Sequence, residues 1–195
     1  MGKIAYIMIG ASGSGKSTLI KHITKEKMML GGNPKVSTFS LDSCRMNFIH
    51  TKKVGQWWSD NDSDADMYAQ AFECATEHEK EFKAFVDAAW AEALKADALF
   101  IDNTNLSRKS RTRWIAEARQ KGFTVWAVQV MSPLKTVIDR QSTRRDKSVP
   151  TSVVRDMYFR QEEILVPGEA DFLFVADGTS KNPTLHSVIH FDNNT

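Results

Sequence analysis

The chain has 195 residues, 42% of them hydrophobic and 26% charged, a composition that excludes disordered, collagen-like and coiled-coil classes. Twenty-six Lys and Arg against 24 Asp and Glu leave a net charge of +2, so the total alone predicts no strong binding to a polyanion. Two cysteines, Cys44 and Cys74, and no apolar run approaching the ~18 residues of a membrane span lead us to expect one domain, 1–195, in a reducing cytoplasm, without a disulfide framework, four-thiolate zinc site, signal peptide or membrane contact.

In chain order, Lys3 to Ile9 (KIAYIMI) has the continuous apolar character of a buried strand, and Ser17 to Met28 that of a helix. Lys35 to Ser40 is a β-branched and aromatic run, hence a second strand. Between about residues 62 and 96 the apolar positions step by three and four, which predicts one helical stripe broken into at most two helices. Ala98 to Ile101 is a third buried strand, and Arg108 to Gln120 a helix closed by Lys121-Gly122. A strand from Phe123 to Val130, a helix from Pro133 to about Arg144, a helix from Ser152 to about Leu165 and a strand from Asp171 to Ala176 follow. One short strand near Ser187 to Phe191 precedes the end of a polar tail, about 178–195. Strand alternating with helix predicts an α/β fold with a mostly parallel sheet covered on both faces, its functional loops at the carboxyl ends of the strands.

Charge is unevenly spread along these elements. Asp60 to Asp97 carries 11 acids and three Lys, whereas Thr104 to Leu165 carries 13 Lys and Arg against six acids. Ordinary solvated helix faces account for most of these charges.

The first loop carries the strongest signal. Gly10-Ala11-Ser12-Gly13-Ser14-Gly15-Lys16-Ser17-Thr18 satisfies G-x-x-x-x-G-K-[ST] at every fixed position, directly after a predicted strand and opening a predicted helix. Glycines let successive backbone N–H groups curl around an anion, and the helix N-terminus adds its positive dipole end. Lys16 is then expected at the β- and γ-phosphates and the Ser17 hydroxyl on Mg²⁺, with ATP or GTP as the nucleotide. No Asn-Lys-x-Asp guanine-reading motif is present, which weakens a GTPase switch.

A kinase also needs a base, a second carboxylate near the metal and arginines over the phosphates. After the second strand, Asp42 and Arg45 are three apart and share a face if a helix starts there. Asp42 is either the helix cap or a base for an attacking hydroxyl, and Arg45 is placed to hold an acceptor phosphate. After the third strand comes Asp102-Asn103-Thr104-Asn105, in which Asp102 is either a cap or a carboxylate that orients Mg²⁺. Arg140 and Arg144 project from one helix face, either as a solvated helix end or as part of a phosphate-covering lid at about 135–155. Of Trp57-Trp58, either one packs in the core and the other covers a helix, or the pair forms a stacking platform for a base.

Taken together, Gly10–Thr18, Asp42-Ser43-Cys44-Arg45, Asn103-Thr104-Asn105-Leu106 and the stretch from Asp139 to Tyr158 resemble the bacteriophage polynucleotide 5′-hydroxyl kinase family of P-loop kinases, over roughly residues 3–165. The resemblance implies a P-loop kinase fold and transfer of the γ-phosphoryl group of ATP to a 5′-hydroxyl of DNA or RNA. It implies Lys16 and Ser17 at the phosphates and Mg²⁺, Asp42 as general base, Arg45 on the acceptor phosphate, and Arg144 with Arg140 on the donor phosphates. Asn103, Thr104 and Asn105 would lie on the substrate side. Where the family places Asp directly before the Thr-Asn pair, this chain has Asn103; its acid is Asp102, which on a continuing strand points the other way. About 30 residues follow the matching stretch, so the phosphatase domain of the best-known members is not expected. Similar phage kinases phosphorylate the hydroxymethyl group of 5-hydroxymethyluracil within DNA, a variant acceptor for the same chemistry. A nucleoside or sugar-acid kinase and a non-enzymatic nucleotide-dependent switch are the competing readings.

Overall fold

The computed structural model describes residues 2–26, 32–52, 64–144, 149–160, 168–180 and 185–190. A single six-stranded sheet organises them: β1 (Lys3–Ile9), β2 (Val36–Phe39), β3 (Ala98–Ile101), β4 (Phe123–Met131), β5 (Phe172–Asp177) and β6 (Leu185–His190), in the order β2-β3-β1-β4-β5-β6. The first five run parallel and β6 pairs antiparallel with β5 at one edge. Seven helices among the described residues connect and cover the strands: α1 (Lys16–Lys25), α2 (Leu41–Thr51), α3 (Asp64–Glu77), α4 (Glu79–Ala93), α5 (Arg108–Gln120), α6 (Leu134–Ser142) and α7 (Thr151–Phe159).

β1 and β3 are apolar on both sides because both sides are covered. Along β1, Ala5, Ile7 and Ile9 enter one buried cluster while Tyr6 and Met8 enter the other, the period-two alternation of a strand. On the first face α4 and α5 lay down Val86, Trp90, Trp114 and Ile115. Phe39, Trp90 and Trp114 form a triangle there, each pair of ring centroids 4.9 Å apart. On the second face α1 buries Leu19, Ile20 and Ile23. Burying one such side chain is worth roughly 1.5–3 kcal/mol, so these two layers fix the sheet on which the loops stand.

Most predicted elements agree with the structure to within two or three residues, and the differences have local causes. The predicted stripe over 62–96 is two helices, broken at His78. The predicted helix after Pro150 is observed over Thr151–Phe159, and its expected continuation to Leu165 lies outside the described residues. Both cysteines are buried and free, and among the described residues no helix is long and apolar enough to cross a membrane.

The strand order reverses at β1, which has β3 on one side and β4 on the other. A parallel sheet opens a crevice at the carboxyl ends of its strands at such a switch point. The chain leaving β1 is the Gly10–Thr18 loop, that leaving β2 enters α2, and that leaving β3 begins at Asp102. The ends of β4 and β5 bring Ser132 and Gly178 behind the loop.

Candidate active site

The crevice is a cleft of about 840 Å³ bounded by the Gly10–Thr18 loop, α2, Tyr68 of α3, the connection after β3, and Arg140 and Arg144. Its volume is in the range of ordinary small-ligand sites.

The phosphate-type loop forms one wall. Ser12, Gly13, Gly15, Lys16, Ser17 and Thr18 face the cleft. Gly10, Ala11 and Ser14 stand behind them, and the Ser14 hydroxyl is buried without a hydrogen-bond partner among the described residues. Gly15 sits at φ +105° at the N-terminus of α1, where a side chain would strain the backbone and a Cβ would come within 2.9 Å of the Gly178 carbonyl oxygen. Gly178 is equally committed, since a Cβ there would overlap the carbonyl oxygen of Ser14. The ammonium of Lys16 folds over the loop and donates to the carbonyls of Gly10 (2.8 Å) and Ala11 (2.9 Å).

The loop is also held from outside. Gly10 N–H donates to the Thr104 carbonyl at 3.0 Å. Ser132 Oγ donates to the Ser14 carbonyl at 2.9 Å, and Ser12 Oγ to Gln141 Oε1 at 3.1 Å. Arg140, expected on the nucleotide, lines the cleft while its Nη1 donates to the Gly178 carbonyl at 2.7 Å. Its guanidinium therefore ties α6 to the turn after β5 behind the loop. Arg144 also lines the cleft, on an exposed position past the end of α6. The expected lid region takes the form of α6 and α7 packed together, with Val137 and Val154 buried against Ala11 of the loop.

Asp102 reaches the loop. Although β3 ends at Ile101, the alternation continues: Asp102 takes the side of Phe100, which α1 covers, and Asn103 the side of Ile101, towards α2. The backbone N–H of Asp102 donates to the Phe39 carbonyl at 2.8 Å, and Asp102 Oδ2 accepts from Ser17 Oγ at 2.8 Å. Asn103 turns towards α2, where its Oδ1 accepts the Leu41 N–H at 2.9 Å, and it lines the cleft with Thr104. Asn105 corrects the expectation of a substrate contact. It is buried at φ +48°, outside the cleft lining, and its amide donates to the carbonyls of Met8 (2.8 Å) and Ile101 (3.1 Å). It is a structural bracket because those carbonyls at the strand ends need a donor. Behind it, Arg111 is fully buried, pairs with Glu169 at 2.7 Å and donates to the Asn105 and Leu106 carbonyls.

The opposite wall starts at the N-terminus of α2. Ser40, not Asp42, is the cap: its side chain accepts from the Ser43 N–H. Asp42 faces the cleft in the first helical turn. Its Oδ1 accepts from Arg45 Nη1 and from the Tyr68 hydroxyl, each at 2.9 Å. Arg45, expected on an acceptor phosphate, does not line the cleft; its guanidinium lies 4.7 Å from the Phe72 ring centroid. Burial pushes the Tyr68 phenol above its ordinary pKa, against the pull of Arg45 and Arg144. Burial also lowers that of Arg45, offset by Tyr68 and Cys44. Trp57 and Trp58 lie outside the described residues.

Sequence reasoning missed Tyr68, Lys21 and Gly178. Lys21 lines the cleft and was findable, since it follows Ser17 by four positions on one face of α1. Tyr68 and Gly178 carry no local signal; only the tertiary fold brings them to Asp42 and to the loop.

A protein-family model described as an AAA domain matches residues 6–164. No curated protein matches the chain. Among solved structures, a chain of the PezAT chromosomal toxin–antitoxin system of Streptococcus pneumoniae is similar at 17% identity and a TM-score of 0.56, covering 96% of this chain and 70% of that one. Kti12 of Chaetomium thermophilum, in complex with ADP-AlF3, is similar at 15% identity and a TM-score of 0.56, covering 89% and 88%. A gluconokinase from Sinorhizobium meliloti 1021 is similar at 13% identity and a TM-score of 0.50, covering 91% and 83%. At these identities the likeness is one of fold.

Proposed function

The chain belongs to the AAA-domain family, and from that premise we propose that it is an ATP- and Mg²⁺-dependent kinase that transfers the γ-phosphoryl group to a primary hydroxyl on nucleic acid, most simply a 5′-hydroxyl end. The observation that carries this reading is the shared cleft: a carboxylate, Asp42, and a phosphate-binding loop with Lys16 and Ser17 occupy facing walls.

The residues fit the reactants. The Ser17 hydroxyl and the Asp102 carboxylate are hard oxygen donors of the kind Mg²⁺ takes, and when bound that ion neutralises charge on the β- and γ-phosphates. Loop N–H groups and Lys16 bind and orient the triphosphate. Asp42 accepts the proton of the acceptor hydroxyl as its oxygen bonds to the γ-phosphorus and the bond to the ADP oxygen breaks, the electron pair leaving with ADP. Lys21, Arg140 and Arg144 make the cleft margin cationic, which supports a polyanionic acceptor. The likeness of residues 3–165 to polynucleotide kinases adds to that support.

A second reading follows from Arg45. Its guanidinium is engaged with Asp42 and Phe72 rather than facing the cleft, an arrangement that suits a hydroxyl borne on an uncharged group, such as a hydroxymethylated base within DNA or a small molecule. One labelling assay separates these. The protein receives γ-labelled ATP with a 5′-hydroxyl oligonucleotide, with internally hydroxymethylated duplex DNA blocked by 5′-phosphate, or with free nucleosides and sugar acids. Label on the first acceptor is expected. Label on the second or third alone moves the substrate class, and label on none contradicts the kinase reading.

A further inference from the structure

Tyr68 is separated from Asp42 by 26 positions and sits on a different helix, yet its hydroxyl and Arg45 Nη1 meet at the same carboxylate oxygen. One face of α3 supplies the first donor and supports the second, Arg45 of α2. Tyr68 binds Asp42 directly, and Phe72, four positions on, holds the Arg45 guanidinium beneath it. Between them Ala71 is fully buried and, with Cys74, packs α3 against Phe48 and Ile49 of α2. The phenol is thus delivered on a packed scaffold rather than a surface rotamer.

We propose that Tyr68 is a positioning residue that, with Arg45, clamps one oxygen of Asp42 and so keeps the carboxylate aimed into the cleft. The inference rests on the reading of Asp42 as the base. Terminal carboxylate torsions are broad and roughly two-fold, so an unclamped Asp42 samples orientations that miss the acceptor hydroxyl. Two donors on one oxygen remove that freedom and favour the charged form. Phosphoryl transfer gains chiefly from such positioning. Burial keeps the Tyr68 phenol protonated and so able to donate.

The test uses the full chain and Tyr68→Phe, which keeps the ring and removes the hydroxyl. The titration of the Asp42 carboxyl carbon is followed by NMR without substrate, and kcat is followed against pH with the acceptor that takes label. The expected result is a higher titration midpoint for Asp42, an acid limb of kcat moved in the same direction, kcat at neutral pH down roughly tenfold, and an unchanged KM for ATP. A tyrosine that merely packs would lower the melting temperature without moving the Asp42 midpoint. Phe72→Leu, which loosens Arg45 and leaves Tyr68 intact, is expected to shift the midpoint less and in the same direction. An unmoved midpoint in both variants overturns the clamp. A midpoint that moves while the acid limb stays in place overturns Asp42 as the base instead.

Discussion

The wall of the cleft that would face the nucleotide is one run of chain, Gly10 to Thr18, braced from behind by Ser132, Gln141, Arg140 and Gly178. The wall opposite is assembled from side chains of α2 and α3 that meet only in the folded state, with the Asp42 side chain 35% exposed and held by Arg45 and Tyr68. Backbone N–H groups recognise what every nucleoside triphosphate carries, so the first wall has little room to vary. Side chains change one at a time, so under the proposed function the second wall is where acceptor choice would be set.

The largest expected effect breaks the first wall alone. Lys16→Ala removes the cation that the fold places on the loop, and kcat is expected to fall by roughly a thousandfold or more, measured by transfer from labelled ATP, with Asp42 still held by Tyr68. Next in size is a purely structural break. Arg111→Ala leaves Glu169 buried without its cation and is expected to cost about 3–5 kcal/mol of stability, read from denaturant unfolding. Arg111→Met combined with Glu169→Leu should recover part of it, because the desolvation penalty disappears with the pair while the Asn105 and Leu106 carbonyls still lose the Arg111 donor. Gly178→Ala pushes a methyl group into the Ser14 carbonyl and the Ser132 hydroxyl. It is expected to cost about 1–3 kcal/mol and to weaken ATP binding, seen by calorimetry. The smallest effect is Asp87→Asn. Asp87 pairs with Arg113 and Lys83 on the surface, and the change is expected to stay below about 1 kcal/mol, with no loss of transfer.

The two walls were also unequally legible in the sequence. The loop was readable because nine consecutive residues carry it, between an apolar strand and a helix that periodicity alone reveals. The strands were readable because burial on both faces writes them as apolar runs. Asp102 was legible through strand alternation: one position before Asn103, it takes the side that α1 and Ser17 occupy, while Asn103 on the other side takes the Leu41 N–H, a contact between residues 62 positions apart. Asn105 was placed on the substrate side by the resemblance of the Asn103-Thr104-Asn105 stretch; its role follows from strand-end carbonyls that only the folded sheet brings within reach. Tyr68 had no signal at all. A tyrosine on an amphipathic helix has the pattern of packing, and its hydroxyl acquires a partner only when α3 docks on α2.

If the donor and acceptor walls do separate work on one reaction, Asp42→Asn separates them. The variant keeps the shape and removes the base. Calorimetry with ATP and labelled transfer on the same preparation should show unchanged nucleotide affinity with transfer reduced roughly a hundredfold or more. Transfer at the wild-type rate, or a loss that merely tracks weakened ATP binding, would contradict it.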